Sequence, residues 1–327
     1  MQLFQFGKTD LQVTRLGLGL AALGRPGYIN LGHGEDFKDG SSIQSMNTQT
    51  QTMLDFAYHR GIRYFDVARS YGFGEKFLGQ WLSDRYTDLS IGSKWGYTYT
   101  ADWQIEAEFH EIKEHTLPVL DRQWKESLEE LGRKPSIYHI HSATLESGVL
   151  DKSEVLDYLW QLKEKDVIVG LSLSGTGQAD TLARALEIKV GEEHLFGSVQ
   201  ATYNILERSV EPQLIQASEA GWGIIIKEAV ANGRLTQRNY NATGAAYDLI
   251  RDLSDRYECN LDTIAMAYIL DKPWVSVVLS GASTIEQLES NLKSLQLILS
   301  PEDIEMLNEV YESPDKYWAD RSKLSWN

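Results

Sequence analysis

Met53-Leu54-Asp55-Phe56-Ala57-Tyr58-His59-Arg60-Gly61-Ile62-Arg63-Tyr64-Phe65-Asp66-Val67-Ala68-Arg69-Ser70-Tyr71-Gly72-Phe73-Gly74-Glu75 contains a helix end, a strand and the start of a second helix. The apolar spacing predicts a helix over Thr48–Arg60, stopped at Gly61, since glycine readily takes the left-handed conformation of a helix C-cap. Arg63–Val67 then reads as a short strand, and a second helical pattern covers Phe73–Ser83. The strand lacks polar alternation, as strands covered on both faces of a parallel sheet do.

The same unit recurs outward in both directions. Strands are expected at Leu16–Leu20, Leu89–Lys94, Ile137–His141, Val167–Leu173, Ser198–Tyr203, Gly223–Lys227 and Val275–Ser280. Helices are expected at Leu120–Leu131, Ser153–Lys163, Gln178–Leu186, Pro212–Ala220 and Ala246–Tyr257. Eight strand-then-helix units with no linker-like stretch between them predict a (β/α)8 TIM barrel spanning residues 1–327 as one domain. An open doubly wound sheet is the rival, and it would more often show a composition break near the middle. Ala21–Asn47, Trp95–Pro118 and the tail Ser313–Asn327 exceed ordinary loop lengths. Two of them follow strand ends, which is the active-site face of a barrel. Tyr317, Trp318 and Trp326 of the tail either pack over that mouth or merely cover the barrel wall.

Composition narrows the class. Lys plus Arg number 31 against 47 Asp plus Glu, a formal net charge of −16 that disfavours nucleic acid and anionic membrane partners. A lone Cys259 excludes an internal disulfide and any Cys-rich metal site, and it suits a reducing cytoplasm. Met1–Lys8 carries no signal-peptide core, and no apolar run approaches a membrane span. The expectation is a cytoplasmic protein acting on small molecules.

Four polar residues fall at or just beyond successive strand ends: Asp66, Tyr71, Lys94 and His141. A barrel would bring them into one pocket. A phenol is a poor acid at neutral pH, and a nearby ammonium pulls its pKa down while a carboxylate keeps that ammonium charged and oriented. A histidine donor can position a carbonyl oxygen, so the group reads as a proton donor for C=O reduction or a base for C–OH oxidation. Singly, each residue is ordinary: a cap, a core aromatic, a buried-pair cation, a satisfied core histidine. Their joint placement carries the reading. His139 shares the strand face of His141 and is its rival. His139, His141 and Asp66 could also begin a metal site, but no third strand-end histidine completes it, so no metal is expected.

With these residues in that order, the chain resembles the aldo-keto reductases from about Leu11 to Leu297. The likeness includes Gln200–Arg208, Asn232–Thr236 and Gly281–Leu292. The resemblance implies a barrel that binds an extended nicotinamide dinucleotide, with Tyr71 as general acid/base, Lys94 and Asp66 tuning it, and His141 orienting the substrate carbonyl. It places Ser172 and Gln200 on the carboxamide and backbone amides around Gly233 and Leu235 near the pyrophosphate. Asn291 falls on the adenine, and Gly19 and Asp66 border the same groove.

The chain departs from the family where Leu173 replaces a carboxamide-binding Asn, Lys227 replaces a stacking aromatic, and Glu228 replaces a Ser near the phosphates. Gly281, Ser283 and Gln287 stand where NADP-preferring members usually carry Lys or Arg, so NAD(H) is favoured and NADP(H) is possible. Trp95, Tyr97 and Trp103 are the expected substrate-pocket residues, suited to an aldehyde or aldose and its alcohol. A nicotinamide-binding regulatory subunit is the alternative. Gly17–Gly24 superficially suggests a dinucleotide fingerprint, but its glycine spacing is wrong and it reads as a barrel strand and turn.

Overall fold

The computed structural model describes residues 1–82, 86 and 88–327. Eight short strands form the wall: β1 (Leu16–Gly19), β2 (Tyr64–Asp66), β3 (Ser90–Trp95), β4 (Ile137–Ala143), β5 (Ile168–Leu173), β6 (Ser198–Thr202), β7 (Gly223–Lys227) and β8 (Val277–Ser280). Each pairs in parallel with the next, and β8 pairs back onto β1, so the sheet closes into the expected (β/α)8 barrel. Closure removes both sheet edges, and the near-complete burial of strand residues on both faces explains their unbroken apolar composition.

Helices cover the outside: α1 (Ile43–His59), α2 (Gly74–Trp81), α3 (Leu117–Leu131), α4 (Ser153–Lys163), α5 (Gln178–Leu186), α6 (Glu211–Glu219), α7 (Ala245–Arg256), α8 (Leu261–Leu270), α9 (Ile285–Lys293), α10 (Pro301–Asn308) and α11 (Pro314–Ser322). α1 begins earlier than its spacing predicts because Ser42 caps it, accepting from the Ser45 N–H. Ser83, the expected last residue of α2, lies outside the described residues. The pattern missed α8 for a physical reason: Leu261 through Ile269 are all buried, so the helix has no polar face to give a 3.6-residue rhythm. Among the described residues no helix is long and apolar enough to cross a membrane.

One end of the barrel is sealed. An N-terminal hairpin pairs Phe4–Gln5 with Gln12–Val13, and Phe6, Val13, Tyr64, Ile137, Ile225 and Val277 form an apolar cluster there. A Cβ on Gly223 would meet the Phe6 ring at 2.2 Å, so only glycine lets that ring seat. The opposite end, where the strands finish, remains open beneath the long connections. The connection after β3 forms its own antiparallel hairpin, Tyr97–Tyr99 with Glu111–Lys113. The tail returns across the same mouth, where Trp326 bridges Ile29 and the Asn327 carbonyl accepts from the Tyr28 N–H at 3.2 Å.

Candidate active site

Strand register decides which ends meet. Asp66 lies level with Gly19 on one side and Gly92 on the other, and Lys94 lies level with His139. The Lys94 ammonium is fully buried and spends its three donors on the Asp66 carboxylate, the Val67 carbonyl (3.0 Å) and the Tyr71 hydroxyl (3.2 Å). Asp66 Oδ2 takes further bonds from Gln200 Nε2 (2.8 Å) and the Tyr64 hydroxyl (3.3 Å). The acid and the ammonium therefore fix each other inside the wall, while Tyr71 faces the cavity.

The two histidines separate clearly. His139 is buried, bonds the Ser198 hydroxyl at 2.9 Å, and has its pKa pushed down to about 3 by burial and then by Lys94. His141, two residues further along, borders the cavity, its ring 5.6 Å from that of Tyr71 and 4.9 Å from that of Tyr97. The β4–β5 register slips between Ile140 and Ala143, and Ser142 adopts φ 47°. Such an irregularity re-aims a strand-end side chain. Burial, then Lys94 and Lys227, lower the His141 pKa well below its ordinary value, so the ring is neutral at pH 7. In the tautomer that accepts from Ser70 Oγ at Nδ1 (3.3 Å), Nε2 carries the proton.

The phenol differs from expectation in one respect. Burial and the Asp66 carboxylate raise the Tyr71 pKa well above its ordinary value, with Arg25 opposing them. Burial explains most of the correction, since it penalises a phenolate, and the Asp66 carboxylate adds its repulsion, so the Lys94 ammonium, paired with that carboxylate, does not bring the phenol down. Tyr71 is accordingly a protonated donor across the neutral range.

A cavity of about 570 Å³ spans the mouth from the ends of β2–β4 to the β7–β8 side, within the size range of small-molecule and cofactor sites. Gly19, Asp66, Tyr71, Tyr97, His141, Gln200, Lys227, Gly233, Gly281, Gln287 and Asn291 all border it. Besides Lys94, held inside the wall, five expected residues do not. Trp95 is fully buried and packs edge-on against His115, because β3 runs one residue past Lys94 and the pleat turns Trp95 to the other face. Trp103 stacks on Phe73 (5.1 Å) and donates to the Ser41 carbonyl (2.7 Å). Ser172 Oγ accepts from the Ser142 N–H (2.8 Å) and so supports the β4 irregularity. Leu235 is buried with its N–H bonded to the Val230 carbonyl (3.1 Å), as is the Gly233 N–H at the same distance. Ser283 is buried behind the cavity wall.

Charge along the cavity is paired. Arg25 bonds Glu111 (2.8 Å), Arg238 bonds Asp36, and Arg321 grips Glu228 through Nε and Nη2, while Lys227 lies 3.6 Å from the same carboxylate. Burial raises the Glu228 pKa, but Arg321 and Lys227 outweigh that and hold it down to about 2. Sequence reading singled out Lys227 and Glu228 but missed Arg321, Arg25 and Asp36. Their only signal was a place on the unusually long connections. Trp326 completes the near wall, stacked on His110 at 4.0 Å with the Arg25 guanidinium 4.7 Å from its centroid.

A nicotinamide dinucleotide fits this donor set in part. Gln200 Oε1 takes no bond from a described residue and is free for a carboxamide N–H, and a Cβ on Gly281 would meet open space. Lys227 and Arg321 supply cations, and Asn291, tied to Ser280 Oγ (2.7 Å) and Asp262 (2.6 Å), is rigidly presented at the far end. The amides of Gly233 and Leu235 are already used within their own turn. Gly233 instead serves close approach by the first long loop, since a Cβ there would lie 2.8 Å from Asn30 Oδ1.

Known proteins resemble this chain over nearly its whole length. The model of the Aldo/keto reductase family matches residues 15–312. The NADH-specific methylglyoxal reductase of Escherichia coli (strain K12) is 24% identical, over 97% of this chain and 100% of that protein. The pyridoxal 4-dehydrogenase of Microbacterium luteolum is 23% identical, over 88% and 90%. The holo form of an aldo-keto reductase from Bacillus halodurans superposes with a TM-score of 0.72 at 22% identity, covering 96% of this chain and 97% of that one.

Proposed function

Because the chain belongs to the aldo/keto reductase family and is an oxidoreductase using a nicotinamide cofactor, we propose that it interconverts a small aldehyde or aldose with its alcohol, using NAD(H) in preference to NADP(H). The observation that carries the proposal is the Tyr71 hydroxyl 3.2 Å from the Lys94 ammonium at the edge of the cavity. The coenzyme, when bound, supplies or takes the hydride. Tyr71 exchanges the proton with the substrate oxygen, and Lys94, itself held by Asp66, positions the phenol and steadies the negative charge that grows on it. His141 Nε2 donates to the same oxygen as a neutral ring. Tyr97, Arg25, Glu111 and Trp326 wall the substrate end. The NAD(H) preference is supported by Gly281, Ser283 and Gln287 in place of cations, and by the relative whose name specifies NADH.

The test is a panel of aldehydes, aldoses and alcohols followed by nicotinamide absorbance, with both coenzymes and in both directions. Tyr71→Phe should lower kcat by roughly 10²- to 10⁴-fold while coenzyme affinity, read by fluorescence quenching, stays within about threefold. Full activity in that variant removes the assignment.

A further inference from the structure

Asp36 lies in the long connection between β1 and α1, on a single 3-10 turn (His33–Asp36), and is buried. Its carboxylate accepts from Ser283 Oγ (2.5 Å) and Gln287 Nε2 (2.9 Å) and is ion-paired with Arg238. The donors come from the connection after β8, from α9 and from the connection after β7. Gln49 Nε2 ties the group together, donating to the Ser283 carbonyl (2.6 Å) and the Asp36 carbonyl (3.3 Å). A hydroxyl, a carboxamide N–H and a guanidinium are also a donor set that would suit a phosphate monoester. In this chain a carboxylate of its own already occupies them.

Gln287 and Arg238 border the cavity beside Gly281, whereas Asp36 stands behind them. We infer that Asp36 is a specificity-determining residue that bars a 2′-phosphorylated adenosine by filling and neutralising an otherwise competent phosphate site. The inference rests on the proposed coenzyme reading, which puts the adenosine ribose at Gly281 and Gln287. A phosphate arriving there meets a fixed negative charge and finds the Arg238 fork engaged. A 2′-hydroxyl carries no charge and meets no such repulsion. The device differs from mere loss of basic residues: the cation is present, and the fold cancels it.

The experiment measures dissociation constants by calorimetry for NADH, NADPH, 5′-ADP and adenosine 2′,5′-bisphosphate on the wild-type chain, Asp36→Asn and Asp36→Ser. The expected result is a wild-type preference for NADH. Both variants should shift the NADPH-to-NADH and bisphosphate-to-ADP affinity ratios by roughly tenfold or more toward the phosphorylated ligand, because a like charge is removed and a guanidinium released. Adding Arg238→Met to either variant should erase that gain. A gain of binding cannot come from misfolding, so it separates the inference from a structural role for Asp36. Wild-type preference for NADH with unchanged ratios in both variants overturns this inference alone. Failure of the wild-type chain to bind either coenzyme, or a wild-type preference for NADPH, overturns the coenzyme reading and this inference with it.

Discussion

Replacing Arg321 by methionine should destabilise the protein far more than loss of an ordinary surface arginine. Arg321 comes from α11 in the tail, and Glu228 follows β7 in a left-handed conformation (φ 56°). The guanidinium places Nε 2.9 Å and Nη2 2.6 Å from Glu228 Oε1. The side chain of Glu228 is 6% exposed, so water cannot replace the lost partner, and among the described residues Lys227 at 3.6 Å and the Tyr317 hydroxyl at 3.3 Å remain. Holding the carboxyl at about 2 rather than its ordinary 4.5 corresponds to roughly 3 kcal/mol, of which Arg321 supplies the largest share and Lys227 and Tyr317 the rest. Breaking a buried pair by removing one member costs about 3–5 kcal/mol, which agrees.

Urea denaturation at pH 7, followed by tryptophan fluorescence, measures the loss. The double variant Glu228→Gln with Arg321→Met should recover most of it. The depressed carboxyl contributes stability that is fully present above the unfolded value near 4.5 and lost as pH falls toward about 2. Arg321→Met should therefore show a flatter acid limb across that window. A loss below about 1 kcal/mol would refute the account, because it would place the pair in the class of exposed ion pairs.

Lys94→Met should cost activity and stability together, since it strands the Asp66 carboxylate in the wall. A fall in kcat of roughly 10²-fold or more, with a lowered unfolding midpoint, is expected; kcat within tenfold of wild type argues against the proton-donor scheme. His141→Asn should act mainly on kcat, whereas His139→Asn should act mainly on stability because, among the described residues, His139 hydrogen-bonds only Ser198; parallel steady-state and melting measurements separate them. Trp103→Ala should cost about 2 kcal/mol of stability through its Phe73 contact and Ser41 bond, yet leave KM within about twofold, since Trp103 does not border the cavity.

What was legible in the chain follows from locality. Each barrel strand announces itself by a short apolar run, and Asp66, Lys94 and His141 sit at the ends of such runs, so closure alone brings them together. Trp95 misled because one further residue of strand reverses its facing. The last helices did carry readable marks: Ser300-Pro301 and Ser313-Pro314 place a capping hydroxyl before a proline in the first turn. The pairs Arg321–Glu228 and Asp36–Ser283 join residues 93 and 247 positions apart. No local pattern encodes such pairings; only the closed barrel does.

The pairing of Arg25, Lys227, Arg238 and Arg321 with acids has a kinetic consequence. With those charges cancelled at the mouth and a net −16 on the whole chain, no long-range field draws a negatively charged ligand inward. Such a ligand diffuses against a weak repulsion until it touches the wall. Raising the ionic strength, which shortens the Debye length to about 10 Å at 0.1 M, should quicken its capture, the reverse of what an electrostatically steered enzyme shows.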